Sequence, residues 1–291
     1  MNGRRRKLKN FSMISAGAAC LFLVESLREM HTVTRVEYRI GLRNLPTEAE
    51  GKRIIFFSDY HLAGKGRLNG KIIEKIREFQ PDVILVGGDM VSGRCPDIEP
   101  ATDLLNRLSR EWPVYMALGN HEKRLKVGMY DNGQMWTAFC HSLSPDIPVI
   151  QNGVQIIPEL GGIRLYGLDM ELYYYRKKVK ERISARELCR LLPEREGVSI
   201  LLAHDPEQLP AYANWGADLV LSGHYHGGIV RLPFLGGVIS PRFTLFPKYD
   251  KGIFREKNTQ MLVTGGLGQH TLKIRFGNIP EVVGITLTRD A

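Results

Sequence analysis

Asp59-x-His61, Gly88-Asp89, Gly119-Asn120-His121, His204 and Gly223-His224-x-His226 follow one another along a chain of 291 residues. Carboxylate, amide and imidazole donors mixed in this way suit divalent Mn, Fe or Zn better than Ca or Mg, which favour oxygen-only cages. Five of the eight histidines fall inside these short words, and glycines flank them at Gly87, Gly88, Gly119, Gly223, Gly227 and Gly228. Glycine lets a backbone turn sharply where a strand ends, so that polar side chains can be aimed into one cavity. Each word alone is common in proteins. Five in order, with the spacing described next, point to a metal site.

The elements that must position these residues are visible in the hydrophobic pattern. Arg53 to Phe57, Val83 to Val86 and Val114 to Ala117 are short apolar runs of the kind buried in a sheet. Between them, Leu68 to Phe79 and Pro100 to Arg110 carry helical periodicity. Asp59, Asp89 and Asn120 each follow one of the strands, at intervals of 30 and 31 residues, about the length of one β-α-β unit. Right-handed crossovers would lay the three strands side by side and bring the three side chains to the carboxyl edge of one sheet, where open α/β sheets build their sites. Later runs at Ile163 to Gly167, Ser199 to Ala203, Leu219 to Leu221, Met261 to Thr264 and Val282 to Leu287 predict a strand-rich second half. One helix is expected there, near Ser184 to Leu192, and nothing repeats internally.

The words FSDYH, GGDM, LGNHE, LLAHDPEQ and LSGHYHGG, taken together, resemble the calcineurin-like metallophosphoesterase family from about Gly51 to Leu287. The text after the last word (LPFLGG, LFPKYDKGIF, GGLG, IRFGNIPE) is similar to a bacterial branch that is often membrane-anchored or exported. The resemblance implies an α/β fold, a four-layer α/β/β/α sandwich of two mixed sheets with a two-metal site at their edge. It assigns Asp59, His61, Asp89 and His226 to one divalent transition metal ion (Mn, Fe or Zn), and Asp89, Asn120, His204 and His224 to the second, with Asp89 bridging. His121 is similar to the family's catalytic, non-ligand histidine. The implied reaction is hydrolysis of phosphomono- or phosphodiester bonds, pyrophosphate or lipid-linked ones included, by a hydroxide that bridges the two metals. One departure affects that chemistry: many family members carry an acid three residues after the bridging Asp, and this chain has Ser92. A metal-free or regulatory scaffold of the same fold, and a nucleotide or nucleic-acid phosphodiesterase, are the alternative readings.

The chain ahead of this domain has a different character. Arg4, Arg5, Arg6, Lys7 and Lys9 supply five of the nine net positive charges, which leaves about +4 for the rest and gives no reason to expect nucleic acid as a partner. Asn10 to Val24 then carry no charge. That run is short against the roughly 20 residues a membrane helix wants, yet basic cluster plus apolar run fits a single-pass anchor with residues 1–10 as a cytoplasmic tail. The expected organisation is therefore a tail, an anchor or signal over 11–27, a linker and edge strand over 28–50, and a phosphoesterase domain over 51–291. It places the catalytic domain outside the cell membrane, with export after signal cleavage as the alternative. Cys20, Cys95, Cys140 and Cys189 show neither zinc nor disulfide-framework spacing and are expected to be free thiols. The tract Tyr173 to Arg182 mixes aromatic and basic residues and reads as an exposed loop or helix start, with a lipid- or polyanion-touching surface as its alternative.

Overall fold

The computed structural model describes residues 17, 20–61, 63–92, 97–176, 181–240, 244–268 and 274–289. The three parallel strands anticipated from spacing are β2 (Arg53–Phe57), β3 (Val83–Val86) and β4 (Val114–Ala117), and they do lie side by side. The helices between them are α2 (Asn69–Phe79) and α3 (Glu99–Ser109). Outside these strands come β5 (Val149–Ile150), then on the other flank β14 (Glu281–Arg289) and β1 (Thr34–Leu42), giving the order β1-β14-β2-β3-β4-β5. β1 is the outer strand, paired in parallel along nine residues of β14.

A second six-stranded sheet runs β12 (Gly252–Glu256), β13 (Thr259–Val263), β9 (Leu219–Ser222), β8 (Ser199–Leu202), β7 (Ile163–Gly167) and β6 (Gly153–Ile157). The period-2 pleat divides each strand between two cores. In β2, Ile54 and Phe56 enter the layer between the sheets while Ile55 and Phe57 meet the outer helices. In β8, Ile200 and Leu202 face the sheet-sheet layer and Leu201 faces α6 (Ala185–Leu191) and α7 (Leu209–Trp215). The result is the α/β/β/α layering. Strands buried on both faces read as unbroken apolar runs, which is why β2, β3, β8 and β9 are legible in the sequence.

Some shorter elements escape that pattern. α4 (Asn120–Lys126) and α5 (Gln134–Ser142) follow β4, and a hairpin of β10 (Val230–Leu232) and β11 (Gly236–Ile239) follows the last histidine word. Cys20, Cys140 and Cys189 are free; Cys95 lies outside the described residues.

Part of the expected anchor or signal (residues 11–16, 18 and 19), with the basic tail, also lies outside the described residues. Residues 20–30 form helix α1, which docks on the domain through buried Ser26 and Glu29. Among the described residues no helix is long and apolar enough to cross a membrane, so the transmembrane expectation has no support in α1.

Candidate metal centre

Each strand of the parallel trio delivers its candidate ligand by leaving the sheet abruptly. Asp59 and Asp89 sit at φ +53° and φ +53°, and His61, His224 and His226 at +42°, +71° and +50°. Five of the seven proposed ligands thus hold the left-handed backbone that non-glycine residues avoid at a cost of about 1–2 kcal/mol each. Strain concentrated on one cluster marks a place where side-chain position outweighs local preference. Glycines make the close approaches feasible: a Cβ on Gly223 would overlap the Asp59 carboxylate and Ser58 hydroxyl, and one on Gly119 would overlap the Asp89 carboxylate.

The two sheets then bring the words together. Asp59, Asp89 and Asn120 come from the first sheet, and His204, His224 and His226 follow β8 and β9 of the second. Asp59, His61 and His226 form one group with ligand atoms within 4.8 Å of one another, and Asp89, His204 and His224 form another. His226 Nε2 lies 3.2 Å from Asp59 Oδ1, and His204 Nε2 3.0 Å from Asp89 Oδ2. His61 Nε2 is 3.7 Å from Asp89 Oδ2, so Asp89 stands between the groups. His121 groups with His61 and Asp89, its ring edge-on to His61 at 4.7 Å. Distance alone does not separate His121 from the ligands.

Several contacts are of the kind a cation explains. His61 Nε2 faces His226 Nε2 at 3.2 Å, and one end of the Asn120 amide faces His224 Nδ1 at 2.8 Å. Turning the amide round would convert the second contact into a hydrogen bond. A carbonyl oxygen and an imidazole nitrogen converging on one cation satisfy it equally, and that reading also suits the neighbouring pair of imidazoles. His204 Nδ1 lies 2.9 Å from the Gly87 carbonyl, which accepts from it, and this contact holds Nε2 toward Asp89. Burial works against a charged His204, but the Asp89 and Asp59 carboxylates outweigh it and push its pKa up to about 10. Burial and the neighbouring His121 hold His61 well below the usual imidazole range. The field at the Asp89 side therefore favours positive charge, and the donor set fits divalent metal ions.

The surroundings include residues whose roles the sequence words did not reveal. Glu122 accepts from Asp89 N and Gly119 N through Oε2 (2.7 and 2.9 Å), and from Met90 N and Val91 N through Oε1 (2.7 and 3.1 Å). Burial and the Asp89 charge raise its pKa to about 7, against the pull of these amides. It braces the Asp89 loop against the start of α4. Asn278 donates to the carbonyls of His226 and Gly228, the latter at 2.9 Å. Buried Arg275 donates to the carbonyls of Gly265, Gly266, Gly268 and Asn278, and Gly268 N closes on Asp59 O at 2.6 Å. Tyr175 packs edge-on to His224 at 5.3 Å, so the aromatic start of the Tyr173 to Arg182 tract is part of the site wall, not of a loop exposed throughout. Residues 177–180 of that tract lie outside the described residues.

Residues 52–228 match the family model described as Calcineurin-like phosphoesterase. An uncharacterized metallophosphoesterase of Bacillus subtilis, YkuE, is 29% identical over 98% of this chain and 97% of its own length. A zebrafish (Danio rerio) transmembrane protein with a metallophosphoesterase domain is 26% identical over 87% of this chain, which spans 56% of that relative. Among solved structures, TT1561 of Thermus thermophilus matches with a TM-score of 0.46 and 12% identity, over 74% of this chain and 89% of that one.

Proposed function

Because this chain belongs to the calcineurin-like phosphoesterase family, we propose that it hydrolyses phosphomono- or phosphodiesters at a pair of divalent transition metal ions (Mn, Fe or Zn). Asp59, His61, Asp89 and His226 would hold one ion, and Asp89, Asn120, His204 and His224 the other. The observation that carries this reading is the convergence of two ligand triads, Asp59-His61-His226 and Asp89-His204-His224, with Asp89 within reach of both. Two such ions, when bound, neutralise phosphoryl charge and lower the pKa of water far enough to supply a nucleophile at neutral pH.

The protein's own groups do the rest. Gly87, by accepting from His204 Nδ1, keeps Nε2 aimed at the centre. His224 N, 3.1 and 3.0 Å from the Asp59 oxygens, ties the two sheets' ligand loops together. His121, beside His61 at the edge of the cluster, is the imidazole in position to stabilise the phosphoryl oxygens or to protonate the departing oxygen. On the substrate, the basic cluster and uncharged run ahead of the domain support a membrane tether and a lipid-linked or cell-envelope phosphoester. A relative named for a transmembrane segment points the same way. The charge of about +4 outside that cluster offers nothing for a nucleic acid.

The test is hydrolysis of bis(4-nitrophenyl) phosphate by the purified chain in manganese, paired with metal analysis. Two equivalents of transition metal are expected, and Asp89→Ala and His224→Ala should each abolish activity. Full activity in both variants would end this reading. One equivalent or none would return the scaffold reading to the front.

A further inference from the structure

Helix α1 is inside out for a helix in water. Ser26 and Glu29 are its buried residues: Ser26 Oγ accepts from Arg275 N (3.1 Å), and Glu29 accepts from Gly277 N and Asn278 N (2.9 and 3.0 Å). Its outward face carries Leu21, Leu23, Val24 and Leu27, each more than half exposed. A surface helix of a globular protein presents the opposite arrangement.

A second apolar projection lies next to it. At the tip of the β10–β11 hairpin Phe234 is fully exposed (107%) and Leu235 is 62% exposed, while Leu245 and Phe246 stand at 64% and 59% beside the same hairpin. Phe246 N donates to Val238 O at 3.0 Å, which joins that loop to β11. Phe234 and Phe246 hold φ values of +67° and +47°. Both rings are thus presented at a backbone cost that a bulky residue rarely bears, and toward solvent. The two projections share a backbone: Phe22 of α1 stacks on Phe276 at 4.7 Å, and Phe276 O accepts from Arg231 N of β10 at 2.8 Å.

We propose that the hairpin tip, Phe246 and the outward face of α1 form a docking surface for an anionic lipid bilayer, which seats the metal centre against the membrane plane. Lipid is the occupant for two reasons. The run Asn10 to Val24, uncharged and preceded by five basic residues, ends within the first turns of α1, so the patch is the last part of a segment built for an interface. Between the hairpin tip and Phe246 lies a groove of about 530 Å³ whose polar lining includes Lys248, exposed and 4.7 Å from the Tyr249 ring, and Arg231, paired with Asp250 at 2.6 Å. Apolar tips around a cation match acyl chains above a phosphate headgroup. The groove also adjoins the metal ligands: Arg231 Nη1 donates to the carbonyl of Gly227, the residue after His226, at 3.3 Å. The surface does not require the lipid-linked substrate reading; only the activity arm below rests on it.

The experiment uses the full chain with vesicles of phosphatidylglycerol and phosphatidylcholine brominated at mid-chain. Phe234→Trp should move to the blue and be quenched. Ile156→Trp, 55% exposed on β6 at the far edge of the second sheet, should not. Equal behaviour of the two reporters overturns the proposal. So does a dimer in the absence of lipid that Phe234→Asp dissociates, since the occupant would then be a second copy. In the activity arm, the double variant Phe234→Asp, Leu235→Asp should hydrolyse a vesicle-borne phosphoester at least about tenfold more slowly, a decade being the least expected for two lost apolar anchors. Its rate on bis(4-nitrophenyl) phosphate should stay unchanged. An unchanged vesicle rate would count against the surface, whereas a parent chain inert on the soluble diester would refute the hydrolase reading and leave the quenching result to decide the surface.

Discussion

Ser92 stands where many members of the family carry an acid three residues after the proposed bridging Asp, and this chain keeps His121, the imidazole proposed as proton donor. An imidazole oriented by some other group in place of that carboxylate would be a less effective general acid, so esters that need a protonated leaving group should suffer most. The parent chain is expected to prefer aryl phosphodiesters and pyrophosphates over alkyl phosphodiesters. His121→Ala should cost about 10²- to 10⁴-fold on the alkyl ester, the usual worth of a positioned acid, and less on the aryl ester. Steady-state rates on a matched alkyl and aryl pair decide it, and equal parental rates on both would sink the idea. Residue types were readable from the sequence wherever they repeat a family word. Roles that depend on a neighbour were not: Glu122 is the last residue of LGNHE, yet nothing in its spacing says that its two oxygens gather four backbone amides from two loops. Arg275 and Asn278 act through carbonyls, and every residue has a carbonyl, so no pattern announces them.

At the level of elements, α4 must stay fixed because Asn120 and His121 are its first two residues. Seven residues are too few for a helix to hold itself in water, so its position has to come from tertiary contacts. Glu122 holds its start, and two lysines further along hold the rest. Lys123 Nζ lies 3.0 Å from Asp169 Oδ1, and Lys126 Nζ 2.7 Å from Asp169 Oδ2, with Asp169 only 4% exposed and Lys123 8%. Asp169 follows β7, so this pair links the first sheet's ligand helix to the second sheet. Asp169→Ala would leave the buried Lys123 ammonium with only the exposed Glu171 carboxylate, at 3.2 Å, of these two partners and should destabilise the fold by about 1–3 kcal/mol. Urea unfolding would show it as a lower midpoint at constant slope. A change under about 1 kcal/mol would mean that the pair is solvated and dispensable. The sequence made the strand trio and its crossovers legible because buried parallel strands leave unbroken apolar runs about 30 residues apart. It did not disclose α4, α7 or the β10–β11 hairpin: α4 overlaps a ligand word rich in charge, α7 starts Leu-Pro, and β10 is three residues long.

For the molecule as a whole, the ligand cluster is a seam. The first sheet contributes Asp59, His61, Asp89 and Asn120, and the second contributes His204, His224 and His226. Hydrogen bonds from His204 to Gly87 and from His224 to Asp59 join the sheets at that edge. Ions bound there would cross-link two layers that also adhere through the apolar core between them. Since the unfolded chain offers no preformed cluster, binding energy appears as folding stability, about 2.7 kcal/mol for one site at a hundredfold excess over its dissociation constant. For a chain of 291 residues that corresponds to a rise in Tm of roughly 4 °C. Chelation followed by manganese should therefore lower and then restore the melting temperature of the parent chain. In Asp89→Ala, which removes the group standing between the two triads, metal should leave the melting temperature where chelation put it. Parent protein that melts identically with and without metal would show that the seam closes on hydrogen bonds alone, and the glycine turns and left-handed ligands would then have to be explained without a cation.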